Sequence, residues 1–197
     1  MTPVFDVGNV LIRWEPRRVY SDLADHEIDD FFDEVGFFDW NREQDRGRSW
    51  PAGVRSLCEQ FPHRAALIER FADRWSESVP GPIQGMPMLL QQLKRLGVKM
   101  YAITNFSAST WAKTCRRFAF LTTTFEDVVV SAQERLVKPD PRIYNLLLRR
   151  NGLSASQCLF IDDSEANVDG AHAVGMQAIV FRDVAQVRST LQMHRLL

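Results

Sequence analysis

The chain has 197 residues, 45% hydrophobic and 25% charged, with a net charge of -1. That length holds one core domain with a smaller insertion, and the apolar content excludes a disordered chain. The balanced charge excludes the basic face of a nucleic-acid binder, and no apolar run reaches the ~20 residues that cross a bilayer.

The first apolar stretch is Val4-Phe5, followed by Asp6-Val7-Gly8-Asn9 and Val10-Leu11-Ile12. Short, apolar and broken by Gly-Asn, it predicts a buried strand entering a tight loop. From Pro16 to Ser78 the pattern changes. Apolar residues recur at helical spacing in Ile28-Phe31-Phe32-Val35, Val54-Leu57-Phe61 and Leu67-Ile68-Phe71-Trp75, which predicts an inserted set of about four helices. The stretch from Phe37 to Gly47 mixes aromatic and charged residues and is expected to be irregular. Pro80-Gly81-Pro82 punctuates the return to the core.

Helix and strand then alternate. A helix over Met88–Leu96 is stopped by Gly97, a strand is expected over Val98–Thr104, and a helix over Ala108–Phe118. Val128–Val130 is a strand, Pro141–Arg150 a helix stopped by Asn151-Gly152, and Leu159–Ile161 a strand ending in Asp162-Asp163. Helix Ala166–Val174, strand Gln177–Phe181 and a terminal helix complete the chain. Strands separated by helices build right-handed crossovers and a parallel sheet. The expected fold is therefore α/β, a Rossmann-like three-layer core over residues 1–14 and 83–197 with a helical cap over 15–82.

In such a sheet the site lies beyond the carboxyl ends of the strands. Asp6, Thr104-Asn105 and Asp162-Asp163 each follow an apolar strand, so all three groups converge on one edge. One Asp there is ordinarily a helix cap. Three carboxylates repel one another, and a hard divalent cation resolves the conflict. Lys138, ahead of Pro139-Asp140-Pro141, would project a fixed positive charge.

The chain resembles the haloacid dehalogenase superfamily of hydrolases. The resemblance rests on four ordered blocks: Phe5-Asp6-Val7-Gly8-Asn9-Val10, Ile103-Thr104-Asn105, Lys138-Pro139, and Ile161-Asp162-Asp163-Ser164-Glu165-Ala166-Asn167. It implies that Asp6 attacks phosphorus and forms an aspartyl-phosphate. It also implies that Asp6, Asp163 and the Gly8 carbonyl bind Mg²⁺, with Asp162 supporting the metal. Thr104, Asn105, Lys138 and Asn9 would hold the phosphoryl group, while Ser164 and Asn167 would order the last loop. One departure stands out. Many phosphatases of the superfamily carry a second Asp two positions after the nucleophile, as general acid and base; here that position is Gly8. A water or a cap residue such as Asp45 is left to serve.

Within the cap, Trp40 is a candidate to stack on a sugar or ring and Arg46 to pair with a second anion, with packing of Trp40 in the cap's own core as the alternative. Hinges are expected near Arg13-Trp14-Glu15 and Val79–Pro82. The reading that follows is a phosphatase acting on a small phosphorylated molecule, cytoplasmic, monomeric or homodimeric, without nucleic-acid or membrane partners. Metal-independent dehalogenation of a 2-haloacid and a weakly catalytic phospholigand binder remain the alternatives. Cys58, Cys115 and Cys158 are too scattered for zinc, and the four histidines show no ligand spacing.

Overall fold

The computed structural model describes all 197 residues. Five parallel strands form one sheet in the order β3-β2-β1-β4-β5. They are β1 (Thr2–Phe5), β2 (Tyr101–Thr104), β3 (Asp127–Val130), β4 (Cys158–Asp162) and β5 (Gln177–Val180). β1 lies at the centre, with Phe5 in register with Ala102 on one side and Ile161 on the other. The chain order reverses about β1, so the carboxyl ends of β1, β2 and β4 meet at the switch point where open α/β sheets place their sites.

Side chains alternate across each strand, and the two faces are buried in two separate clusters. Phe5, Ala102, Leu159 and Ile161 belong to a cluster of 32 buried residues. Val4, Tyr101, Ile103, Cys158 and Phe160 belong to a cluster of 12. The larger cluster also contains Phe31, Phe37, Trp40 and Phe71, so the helical insertion and one sheet face are continuous apolar interior.

The insertion holds α1 (Asp25–Val35), α2 (Phe37–Asp45), α3 (Trp50–Gln60) and α4 (Ala65–Arg74), with short 3-10 turns at Pro16–Tyr20, Pro62–Arg64 and Trp75–Ser78. The expected irregular stretch over 37–47 is instead helix α2. Gly36, in the left-handed region at φ 60°, ends α1 and starts α2 without a linker. Phe37, Trp40 and Gln44 face inward while Asp39 and Arg42 face water, so the helical period was present but masked by the buried Gln44. The two connections between insertion and core run side by side. Arg13 N–H donates to Gly81 O at 2.9 Å, Glu15 N–H to Ser78 O at 2.7 Å, and Ile83 N–H to Leu11 O at 2.9 Å.

The remaining helices are α5 (Met86–Arg95), α6 (Ala108–Arg117), α7 (Phe120–Thr123), α8 (Ser131–Glu134), α9 (Pro141–Asn151), α10 (Glu165–Ala173) and α11 (Val184–Met193). Local chemistry sets their ends. Asp140 caps α9 by accepting the Arg142 N–H at 2.9 Å, Pro141 occupies its first turn, and Gly152 closes it at φ 62°. The strand expected over Val98–Thr104 begins only at Tyr101. Val98 N–H still bonds back to Leu93 O at 3.0 Å, so it completes the helix exit, while Met100 O already accepts the Glu126 N–H at 2.9 Å just ahead of β3. No helix is long and apolar enough to cross a membrane.

Candidate active site

Asp6 directly follows β1, and its N–H donates to Ile161 O at 2.8 Å. It is therefore held at the sheet edge beside Asp162 and Asp163. Carboxylate oxygens of the three lie within 4.8 Å of one another. One cation faces them. Lys138 Nζ is 2.6 Å from Asp6 Oδ1 and 2.6 Å from Asp162 Oδ2, and it donates to Ile103 O at 3.1 Å. Its side chain is only 1% exposed, so these are its full set of partners.

Three carboxylates against one ammonium leave a surplus of negative charge. Asp6 responds by holding its proton: burial, with Asp162 and Asp163 adding to it against Lys138, pushes its carboxyl up to about 7. Burial and Asp162 push Asp163 upward as well. Asp162 has both oxygens engaged, one with Lys138 and the other accepting from Ser164 N–H and Asn167 Nδ2, each at 2.9 Å. It therefore orients Lys138 and the loop into α10, while Asp6 and the exposed Asp163 retain free coordination capacity.

Thr104 closes β2 and is 1% exposed, and its Oγ1 is a buried polar atom without a hydrogen-bond partner. Such an orphan costs roughly 1–3 kcal/mol unless a ligand satisfies it. The donor set is chemically suited to Mg²⁺: hard carboxylate oxygens on Asp6 and Asp163, the Gly8 carbonyl on the same loop, and surplus charge that a divalent cation would cancel.

Asn105 also takes a structural role. Its Oδ1 accepts Lys138 N–H at 2.8 Å and its Nδ2 donates to Lys138 O at 3.1 Å. The amide grips the Lys138 backbone and so positions the lysine, while Asn105 still lines the cavity and one Nδ2 hydrogen stays uncommitted. Asn9 is likewise occupied. It sits at φ 53°, accepts Trp14 N–H at 2.9 Å, and its side chain bonds Asp163. Asn tolerates this left-handed geometry better than most residues.

These groups floor a cavity of about 220 Å³ that contains Asp6, Gly8, Asn9, Asn105, Lys138 and Asp163. Trp14, Trp75 and Phe106 form an aromatic wall, and Asn41, Asp45 and Trp50 close it from the insertion. Two cap candidates lie elsewhere. Trp40 is 6% exposed, packs on Phe37 and Trp50, and donates Nε1–H to Gly53 O at 3.0 Å; it is an interior residue, since a bulky ring on the inward stripe of α2 has nowhere else to go. Arg46 pairs with Glu43 and lines a neighbouring cleft with Arg42 and Arg142, because α2 turns it away from the Asp6 cavity. Asp45 does line the cavity.

Sequence reasoning missed Asn41, Trp50 and the aromatic wall. Only Asn41 had a readable signal, being four residues before Asp45 on one helical face; its Nδ2 donates to Asp45 Oδ2 at 3.3 Å.

Comparison with known proteins gives the family. The family model for haloacid dehalogenase-like hydrolases matches residues 4–175. A sesquiterpene phosphatase of Aspergillus oryzae is 28% identical over 183 residues, covering 91% of this chain and 89% of that protein. A phosphoglycolate phosphatase of Mesorhizobium japonicum is 26% identical over 184 residues, covering 89% and 80%. Among solved structures, a HAD family enzyme of Bacteroides thetaiotaomicron superimposes with a TM-score of 0.76 at 20% identity, over 93% of this chain and 94% of that one. The same enzyme in complex with magnesium and inorganic phosphate gives a TM-score of 0.73 at 20% identity, with the same coverage. With the family match covering strands β1 to β4, the carboxylate cluster and Lys138, the chain belongs to the haloacid dehalogenase-like hydrolase family and is a hydrolase.

Proposed function

We propose that the protein is a Mg²⁺-dependent phosphatase that cleaves a small organic phosphomonoester through an aspartyl-phosphate on Asp6. The observation that carries this reading is the charge imbalance at the sheet edge: three carboxylates within 4.8 Å and a single buried lysine. An anionic nucleophile meets an anionic phosphate only where positive charge cancels their repulsion. Asp6, Asp163 and the Gly8 carbonyl would hold the metal, with Asp162 supporting it, and the bound cation would supply electrophilic stabilisation of the phosphoryl oxygens. Lys138 places its ammonium beside the nucleophilic oxygen, and Thr104 offers its unpartnered hydroxyl to the phosphoryl group. The phosphatase names of the two extended relatives support the same reaction class.

The substrate's leaving group would rest against Trp14, Trp75 and Phe106. A cavity of about 220 Å³ favours a compact one. Dehalogenation without metal fits the site less well, because three carboxylates would share a single compensating lysine.

The test is release of inorganic phosphate from a panel of phosphomonoesters, with Mg²⁺ and with EDTA. Mg²⁺-dependent release is expected. Halide release from 2-chloropropionate in EDTA, with no phosphate from any ester, would replace this reading with dehalogenation. Saturable binding of phosphate esters without turnover would replace it with a binding role.

A further inference from the structure

Gly8 leaves the proposed phosphatase without the side chain that would protonate the departing alcohol. A Cβ built on Gly8 meets nothing within 4 Å, so the space where such a group would stand is open. Across the same cavity stands Asp45, the last residue of α2. The insertion presents it, but the core fixes it. Its main-chain carbonyl accepts the Ser131 hydroxyl at 2.6 Å, and that hydroxyl in turn accepts the Phe106 N–H at 2.9 Å. Its carboxylate accepts the Ser107 N–H, and Asn41 donates to it from one turn earlier at 3.3 Å. Two residues later, Gly47 at φ 108° passes the Ala132 carbonyl so closely that a Cβ would stand 3.2 Å away. The end of α2 is therefore bolted to the loops after β2 and β3.

We propose that Asp45 is the general acid and base of the reaction, donating a proton to the leaving oxygen and recovering one from water. The proposal rests on the phosphatase reading above. In the first step an Asp6 oxygen bonds to phosphorus as the bond from phosphorus to the leaving oxygen breaks. The leaving oxygen keeps that electron pair, takes the proton of the Asp45 carboxyl and departs as the alcohol. In the second step water bonds to phosphorus, its proton passes to the Asp45 carboxylate, and the bond from phosphorus to Asp6 breaks with its electrons returning to Asp6. Inorganic phosphate leaves and both carboxyl groups regain their starting states.

The electrostatics suit this role. Burial pushes the Asp45 carboxyl up to about 7, against the pull of Arg42 on its own helix, the Ser107 N–H and Lys138 across the cavity. Asp6 and Asp163 share the cavity floor opposite, and Arg46, the next residue, is paired with Glu43. An acid that titrates near the working pH serves both half-reactions. The nucleophile is a separate carboxylate, so one group need not perform both tasks.

The test compares wild type with Asp45→Asn in Mg²⁺, on p-nitrophenyl phosphate, phenyl phosphate and an alkyl phosphate. A p-nitrophenolate leaving group departs without a proton, whereas an alkoxide does not. The expected result is a loss in kcat/KM that grows with the basicity of the leaving group, reaching about 10²–10⁴-fold for the alkyl ester. A pre-steady-state burst of p-nitrophenol should be retained, because the first step on that ester needs no acid. Wild-type kcat/KM on the alkyl ester should fall above about pH 7, in line with the Asp45 carboxyl losing its proton there. Equal losses on all three esters, no loss on any, or disappearance of the burst would overturn the proposal. Absence of phosphate release from wild type would instead overturn the phosphatase reading on which it stands.

Discussion

Replacing Lys138 with Met removes the one buried cation that faces the three carboxylates. The lysine side chain is 1% exposed, and its ammonium is 2.6 Å from both Asp6 and Asp162. Met conserves most of the stem volume, so packing against Phe160, whose ring centroid is 5.4 Å from Nζ, is largely retained. The loss is therefore electrostatic. Breaking a buried ion pair from one side costs about 3–5 kcal/mol, because it strands the remaining charge. A domain has only about 5–15 kcal/mol of stability in total. For a chain of this size each kcal/mol moves Tm by about 2–4 °C, so the expected drop is about 6–20 °C. Urea denaturation of Lys138→Met in EDTA near neutral pH measures the free-energy loss, and a thermal melt the drop in Tm. The double variant with Asp162→Asn should cost less than the sum of the single losses, since it removes a stranded carboxylate. A destabilisation below about 1 kcal/mol, the value of an exposed pair, would refute the picture of Lys138 as the buried counter-ion of the cluster.

Thr104→Val removes an unpartnered buried hydroxyl. It should leave the unliganded protein as stable as wild type or up to about 1–3 kcal/mol more stable, while phosphatase activity falls; a matched loss of stability would show that the hydroxyl has a partner. Asn105→Ala releases both bonds on the Lys138 backbone, costing about 1–3 kcal/mol and lowering kcat more than it raises KM, as steady-state kinetics would show. Trp40→Ala empties an interior position. It should cost about 3–5 kcal/mol with KM unchanged in the folded fraction, and a selective rise in KM would return Trp40 to the substrate site. In the absence of metal, stability should also depend on pH. Asp6 and Asp45 hold their protons up to about 7 in the fold, against 3.8 for the ordinary carboxyl. The folded state binds the extra protons across that window, so stability is greatest at its acid end and declines from about pH 4 to about pH 7. Urea midpoints in EDTA should follow that decline, and Asp45→Asn should reduce its slope.

Much of this protein was determined by local sequence alone. Apolar runs of four or five residues separated by helical periods specify a parallel sheet, because two adjacent parallel strands require a crossover between them. A parallel sheet in turn brings Asp6, Thr104 and Asp162 to one edge, since each stands at the carboxyl end of its strand. The spacing of blocks along the chain therefore contained the floor of the site. The helical character of residues 16–78 was equally legible from its period.

Other features depended on contacts between segments far apart in the chain. Asn105 pairs with Lys138 across 33 residues, and nothing local distinguishes an amide that grips a backbone from one that binds phosphate. Trp40 stands on a short helix and Arg46 caps its end, and only the packing of α2 against α3 and α4 turns one inward and the other toward an adjoining cleft that shares Lys138. The period of α2 was hidden because Gln44, a polar residue, occupies an inward position, where it is held by donating to Trp40 O at 2.6 Å. Asp45 reaches the Asp6 cavity because Ser131, 86 residues later, anchors its carbonyl. Sequence determined which residues carry charge and which elements they end. Tertiary structure decided which of those charges share a cavity, because burial and counter-charge are properties of the packed chain and of no segment within it.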